Sequence, residues 1–177
     1  MSQLAQPSDL ALLVGVPETN GKLRLALTRA SDRFEGSVGY PIEKVENDAI
    51  DLAGDGGTTL LLPARPVIGT PTVSINGTPV TDFQISRRFG VMRRAGGWPE
   101  GLDNVHVVYD HGFEKVPGDI VDAVLEQAEA TFRLLVGVAN VGSGSEQIGY
   151  FASVTTGVTQ RWTETVERYQ IGTADRA

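Results

Sequence analysis

The side chains able to do acid–base or metal chemistry are few and crowd into one stretch. The two histidines of the chain, His106 and His111, flank Asp110. Imidazole with carboxylate is raw material for a divalent-metal site, but this spacing matches no standard ligand pattern. His106 falls in a β-type run, where side chains simply alternate between faces. Asp110 opens the sequence Asp110-His111-Gly112, a turn that an aspartate is suited to cap. No metal ligand and no catalytic residue is assigned here.

The nucleophile and phosphate motifs fail for related reasons. Gly142-Ser143-Gly144-Ser145 lies in a Gly/Ser-rich loop and not at a strand-to-helix elbow. Gly54-Asp55-Gly56-Gly57 lacks the lysine and the following helix of a phosphate loop. With no cysteine in the chain, a thiolate metal site and a disulfide scaffold are both excluded. The expectation is a non-enzymatic protein without a cofactor.

Binding chemistry has two candidates. Arg87, Arg88, Arg93 and Arg94 place four arginines across eight positions, either a solvated hairpin edge or a phosphate-binding stripe. Trp98, in Gly96-Gly97-Trp98-Pro99, is a loop aromatic that would serve as a binding platform or as a plug over a core. The whole chain carries 15 basic and 22 acidic residues, a net charge of −7, a poor balance for wrapping DNA.

The elements that must position these residues follow from punctuation and periodicity. At 177 residues the chain suits one domain that buries roughly 70% of its unfolded surface. It has no apolar run near the ~20 residues of a membrane span, and its first residues do not read as a signal peptide. Ser8-Asp9 predicts a helix cap before Leu10-Ala11-Leu12-Leu13, with Gly15 and Pro17 as the stop. A second helix is predicted from Asn20, its apolar stripe being Leu23, Leu27, Ala30, Phe34 and Val38.

From about 42 to 110 the pattern becomes about six short β runs, including Thr58–Leu62, Val67–Ile75 and Val105–Tyr109, which predict a compact meander or small barrel. Asn76-Gly77 is the preferred pair for a type I′ hairpin turn. Pro117 opens a long helix whose apolar face is Ile120, Val121, Val124, Leu125, Ala128, Phe132 and Leu135. Residues 138–149 predict a flexible connection and 148–155 an extended run. A last helix is predicted from Val158, with Val158, Trp162, Val166 and Tyr169 on one stripe. The tail beyond Ile171 is predicted to be disordered. The fold class is α+β: a single domain, 1–177, with helical parts 8–38 and 117–171 and a β-rich insertion at about 42–110.

Read in order, these stretches carry a resemblance. A helix pair precedes Leu61-Leu62-Pro63-Ala64-Arg65-Pro66-Val67 and the Asn76-Gly77 hairpin. Then come Val107-Val108-Tyr109-Asp110-His111-Gly112-Phe113, Pro117-Gly118-Asp119 and a long helix. Ser145-Glu146-Gln147-Ile148-Gly149-Tyr150-Phe151 and a short helix ending Glu167-Arg168-Tyr169 complete the series. The succession resembles the head-to-tail connector proteins of siphophages of actinobacteria, similar in turn to the α-helical phage adaptors.

That resemblance implies a structural subunit made in the host cytoplasm and built into the virion neck. It implies a homo-oligomeric ring of about twelve copies under the portal protein, followed by a downstream neck, stopper or tail protein. Genomic DNA would pass through the lumen without sequence-specific binding, and no membrane is involved. The last helix would then be an arm that docks on the portal through Trp162, Val166 and Tyr169, as against a helix folded back on its own core. Arg87, Arg88, Arg93 and Arg94 would contact a neighbouring subunit or the downstream protein. The alternatives are another neck or tail-completion protein, or a monomeric β-rich ligand-binding module using the Trp98 and Phe89 region.

Overall fold

Proline, glycine and asparagine set the boundaries of the first two helices of the chain, whose computed structural model describes residues 3–136 and 158–171. The helices are α1 (Pro7–Val14), α2 (Gly21–Val38), α3 (Gly118–Val136) and α4 (Gln160–Tyr169). The strands are β1 (Val45–Gly54), β2 (Thr59–Leu61), β3 (Val67–Ile75), β4 (Thr78–Val80), β5 (Phe83–Ser86), β6 (Val91–Arg94) and β7 (Gly101–His111). The described chain is thus α+β, with four helices and two antiparallel sheets. It divides into a helical unit, Met1–Gly39 with Val116–Ile171, and a β-rich unit that holds Tyr40–Lys115. The expected connection at 138–149, the extended run at 148–155 and the tail beyond 171 lie outside the described residues.

In the helical unit the predicted stripe of α2 is the core: Leu23, Leu27, Ala30, Phe34 and Val38 are all buried. The Asn20 side chain accepts from the Lys22 and Leu23 amides at 2.9 and 3.3 Å and starts the helix. Gly15 and Gly39 close α1 and α2 in the left-handed conformation, which a glycine adopts without a Cβ clash. The expected Ser8-Asp9 cap is corrected. The N-cap is Gln6, without a side-chain bond, and Pro7 takes the first turn, where its missing N–H costs nothing. Pro117 likewise stands one residue before α3, and its carbonyl accepts from Ile120 and Val121. From α3, Ile120, Ala123, Val124, Ala128 and Phe132 meet this core, while Val121, Leu125 and Leu135 are half-buried.

The β-rich unit is neither a meander nor a barrel. Its strands form a four-stranded sheet in the order β1-β7-β3-β4 and a three-stranded sheet in the order β2-β6-β5. The reason is β1, whose sequence Val45-Glu46-Asn47-Asp48-Ala49-Ile50-Asp51-Leu52 has too few apolar residues to stand out as a strand. Pairing supplies what propensity lacks, because β1 runs antiparallel along β7 from Val45↔His111 to Gly54↔Gly101. The Asn76-Gly77 turn forms as expected, with positive φ at both residues and Ile75 paired to Thr78. Pro79 is tolerated because β4 is an edge strand.

Val73, Ile75, Val105, Val107 and Tyr109 bury one face of the four-stranded sheet. Burial, with the nearby Asp48 carboxylate second, pushes the Tyr109 phenol up to about 12, against a smaller opposing pull from the Ala64 backbone. Burial also raises Tyr40, and its hydrogen bond with Arg65 opposes the rise.

Two measurements check this packing. Gly112 has φ +90°, and an added Cβ would run into the Glu43 backbone carbonyl. Gly112→Ala should therefore cost about 2 kcal/mol or more in chemical denaturation, and an unchanged midpoint would contradict the close approach. The folded chain holds the Tyr109 proton more tightly than the unfolded chain does. Its contribution is therefore intact below pH 10 and is lost as pH rises through about 12. Absorbance titration should show a late tyrosinate step that Tyr109→Phe removes; all tyrosines ionising near pH 10 would contradict it.

Candidate functional site

The histidine–aspartate region is structural. His106 Nδ1 sits 2.7 Å from Asp51 Oδ1 on the exposed face of the sheet. His111 is buried at 1% exposure, with Nε2 3.1 Å from Asp48 Oδ2 and its ring 5.1 Å from that of Tyr109. The register explains why the two never converge: five residues apart on one strand, they point to opposite faces. Asp110 does not cap its own turn as expected. Its Oδ1 accepts from the Asn47 amide at 2.7 Å and so pins the β1 bulge, where Asn47 has φ 53°. Among the described residues no group of three His, Asp or Glu side chains is placed to hold a metal. Gly54-Asp55-Gly56-Gly57 is the β1–β2 turn, closed by Asp55 Oδ1 accepting from Gly57 N at 2.8 Å. Ser143 and Ser145 lie outside the described residues.

Trp98 is a plug. It is fully buried, 6.3 Å from the Phe83 ring, and its backbone amide donates to the Gly57 carbonyl at 2.7 Å. A platform for a ligand requires an accessible ring face, so of the two readings of Trp98 the plug holds and the platform does not. Phe89 is the exposed aromatic of this unit, at 52%.

The four arginines are not one stripe. Arg94 is committed within the chain, its Nε 2.9 Å from Asp82 Oδ1 and its Nη1 2.8 Å from the Gly97 carbonyl. This hydrogen bond holds the exposed Asp82 carboxyl below its usual range. Arg93, the next residue on β6, is exposed and projects to the other side. Arg87 and Arg88 occupy the β5–β6 turn, with the Arg88 guanidinium 5.5 Å from the Phe89 ring centre. Among the described residues Arg87, Arg88 and Arg93 form no ion pair.

Helix α4 lies on its own unit. Trp162 is buried edge-on against Phe34, at 5.2 Å and 85° between rings, with the Arg33 guanidinium 5.8 Å from its centre. Val166 is buried beside it, and the Tyr169 hydroxyl donates to Asp119 at 3.0 Å. Arg168 reaches the same carboxylate at 2.8 Å, and Thr159 caps the helix through the Trp162 amide. The sequence gives no sign of Asp119 as the anchor of the last helix, because the two are about fifty residues apart. Elsewhere in this unit an open apolar groove of ≈ 800 Å³ runs between the end of α1 and the end of α3, lined by Leu13, Val16, Phe132 and Val136. Leu12 beside it is 85% exposed. Among the described residues no helix is long and apolar enough to cross a membrane.

Among the described residues the histidines, aspartates and arginines singled out above do not converge on one site. No family model and no curated protein matches the chain. Solved structures do match its fold. One is a chain from the neck of an empty GTA particle computed with C6 symmetry, with a TM-score of 0.56 and 15% identity. The match covers 96% of this chain and 90% of that one. Another is from the neck of a native GTA particle computed with C12 symmetry, with a TM-score of 0.53 and 16% identity. It covers 95% of this chain and 90% of that one. At these identities the likeness establishes a shared fold.

Proposed function

We propose that the chain is a structural subunit of a phage-like particle neck, a head-to-tail connector of the adaptor class found in actinobacterial siphophages. In this reading the β-rich unit is an insertion into a helical connector body. Copies close into a ring of about twelve beneath the portal, with DNA crossing the lumen and a stopper or tail protein below. The observation that carries the reading is the match of fold over nearly the whole chain to chains of particle necks solved with C6 and C12 symmetry. The same observation favours, as the second reading, another neck or tail-completion protein. The ligand-binding alternative loses its platform with the burial of Trp98.

Physical features fit a passive conduit. A net charge of −7 disfavours adhesion to the DNA that must slide through. The apolar groove lined by Leu13 and Val136, themselves 53% and 43% exposed, is the kind of surface that assembly covers. The proposal that α4 docks on the portal through Trp162, Val166 and Tyr169 takes a specific form. Those residues are already engaged with Phe34 and Asp119, so docking is an exchange in which portal contacts replace intramolecular ones.

Cryo-electron microscopy of the particle that carries this chain tests both parts. The expected map shows a ring of copies between portal and tail, with α4 density against the portal. Density in the capsid shell or tail tube would contradict the connector role. A ring in which α4 still lies on Phe34 would contradict the exchange.

A further inference from the structure

The β-rich unit carries opposite charge on opposite flanks. Its row of backbone pairs runs from Val45 on β1, through His111 on β7, to Val67 on β3. The Val67 amide then donates to the Arg87 carbonyl at 2.8 Å, which sets the β5–β6 turn beyond β3. β1 therefore forms one flank and the Arg87–Gly90 turn the other, about three strand spacings or roughly 14 Å apart at this row.

The β1 flank is acidic. Glu43, Glu46, Asp51 and Asp55 are all exposed, and among the described residues β1 is hydrogen-bonded to a neighbouring strand on one side only. Lys44 is held at 2.8 Å by Glu46 and at 3.6 Å by Glu114, and the His106 ring lies beside Asp51. Even so, the Glu46 and Asp51 side chains remain 63% and 57% exposed. The turn flank is basic, with Arg87 and Arg88 exposed and free of ion pairs among the described residues. Between them and Gly90 stands Phe89, 52% exposed with Arg88 over its ring. Arginine and an aromatic at a projecting turn are the residue types that anchor interfaces.

We propose that the turn Arg87-Arg88-Phe89 of one copy seats against the acidic edge strand β1 of the next copy. The two surfaces of one chain are complementary in charge, basic with an aromatic on the turn and acidic on the strand. Set on opposite flanks of one unit and joined head to tail, such surfaces make a heterologous contact, the kind that closes a ring when its rotation closes. The proposal deepens the ring reading and rests on it. It assigns a partner to Arg87 and Arg88, and leaves Arg94 as an internal brace.

The test places a photo-reactive benzoylphenylalanine at Phe89 in the full chain, mixed with isotope-labelled unsubstituted chain and a short DNA duplex. Expected are adducts between copies that map to residues 43–55. Arg87→Glu with Arg88→Glu should lower their yield about tenfold. Glu46→Lys with Asp51→Lys in the labelled chain should restore it. Adducts on another segment, within one chain only, on the DNA, or none at all would overturn the proposal. A fixed number of copies on a portal ring alongside misplaced adducts would remove this interface and leave the ring reading standing. Failure of both would remove both.

Discussion

The pairing of β1 with β7 is the constraint on which the rest of the architecture depends. Between Ile42 and Phe113 the chain makes an excursion of roughly seventy residues, whose closure costs on the order of 4 kcal/mol in chain entropy. The antiparallel ladder from Val45↔His111 to Gly54↔Gly101 brings its two ends together. It is continued by Lys44 N to Phe113 O at 3.1 Å and Phe113 N to Ile42 O at 2.9 Å. With the ends of the excursion side by side, α2 and α3, separated in sequence by the whole β-rich stretch, can share one core of Leu23, Leu27, Phe34, Ile120, Val124 and Phe132. The positive φ of Gly112 and its approach to the Glu43 carbonyl sit at that closure, so a side chain there strains the whole arrangement.

Local signals in the sequence were faithful where one residue type dominates the energetics. Gly15, Gly39 and the Asn76-Gly77 pair mark a left-handed backbone that few residues adopt cheaply, Asn20 supplies a side-chain cap that few residues can, and each acts as expected. The helix stripes were legible because a 3.6-residue period survives any tertiary context. Strand order was not legible, because β1 earns its place by pairing with β7 and not by its own apolar content. The commitment of Arg94 to Asp82, of Asp110 to Asn47 and of Tyr169 to Asp119 depends on contacts across 12 to 63 positions. No local pattern encodes those.

The same distinction shapes the functional account. A site for chemistry needs several polar groups converging in a concave space, and the histidine pair diverges to two faces of a sheet. A heterologous assembly needs two complementary surfaces, and the β-rich unit carries an acidic edge and a basic turn. Trp162 is spent on Phe34 within the helical unit. Any role for α4 in docking therefore has to compete with a contact that is already made, a balance that couples portal binding to loosening of the fold.

The central claim is that this chain adds to a portal as a ring. Native mass spectrometry of the purified chain mixed with the portal ring of the same particle tests it most directly. The account predicts one dominant product in which a fixed number of copies, close to twelve, is added to the intact portal. A free portal beside a free monomer, or a broad and unlimited series of additions, would contradict it.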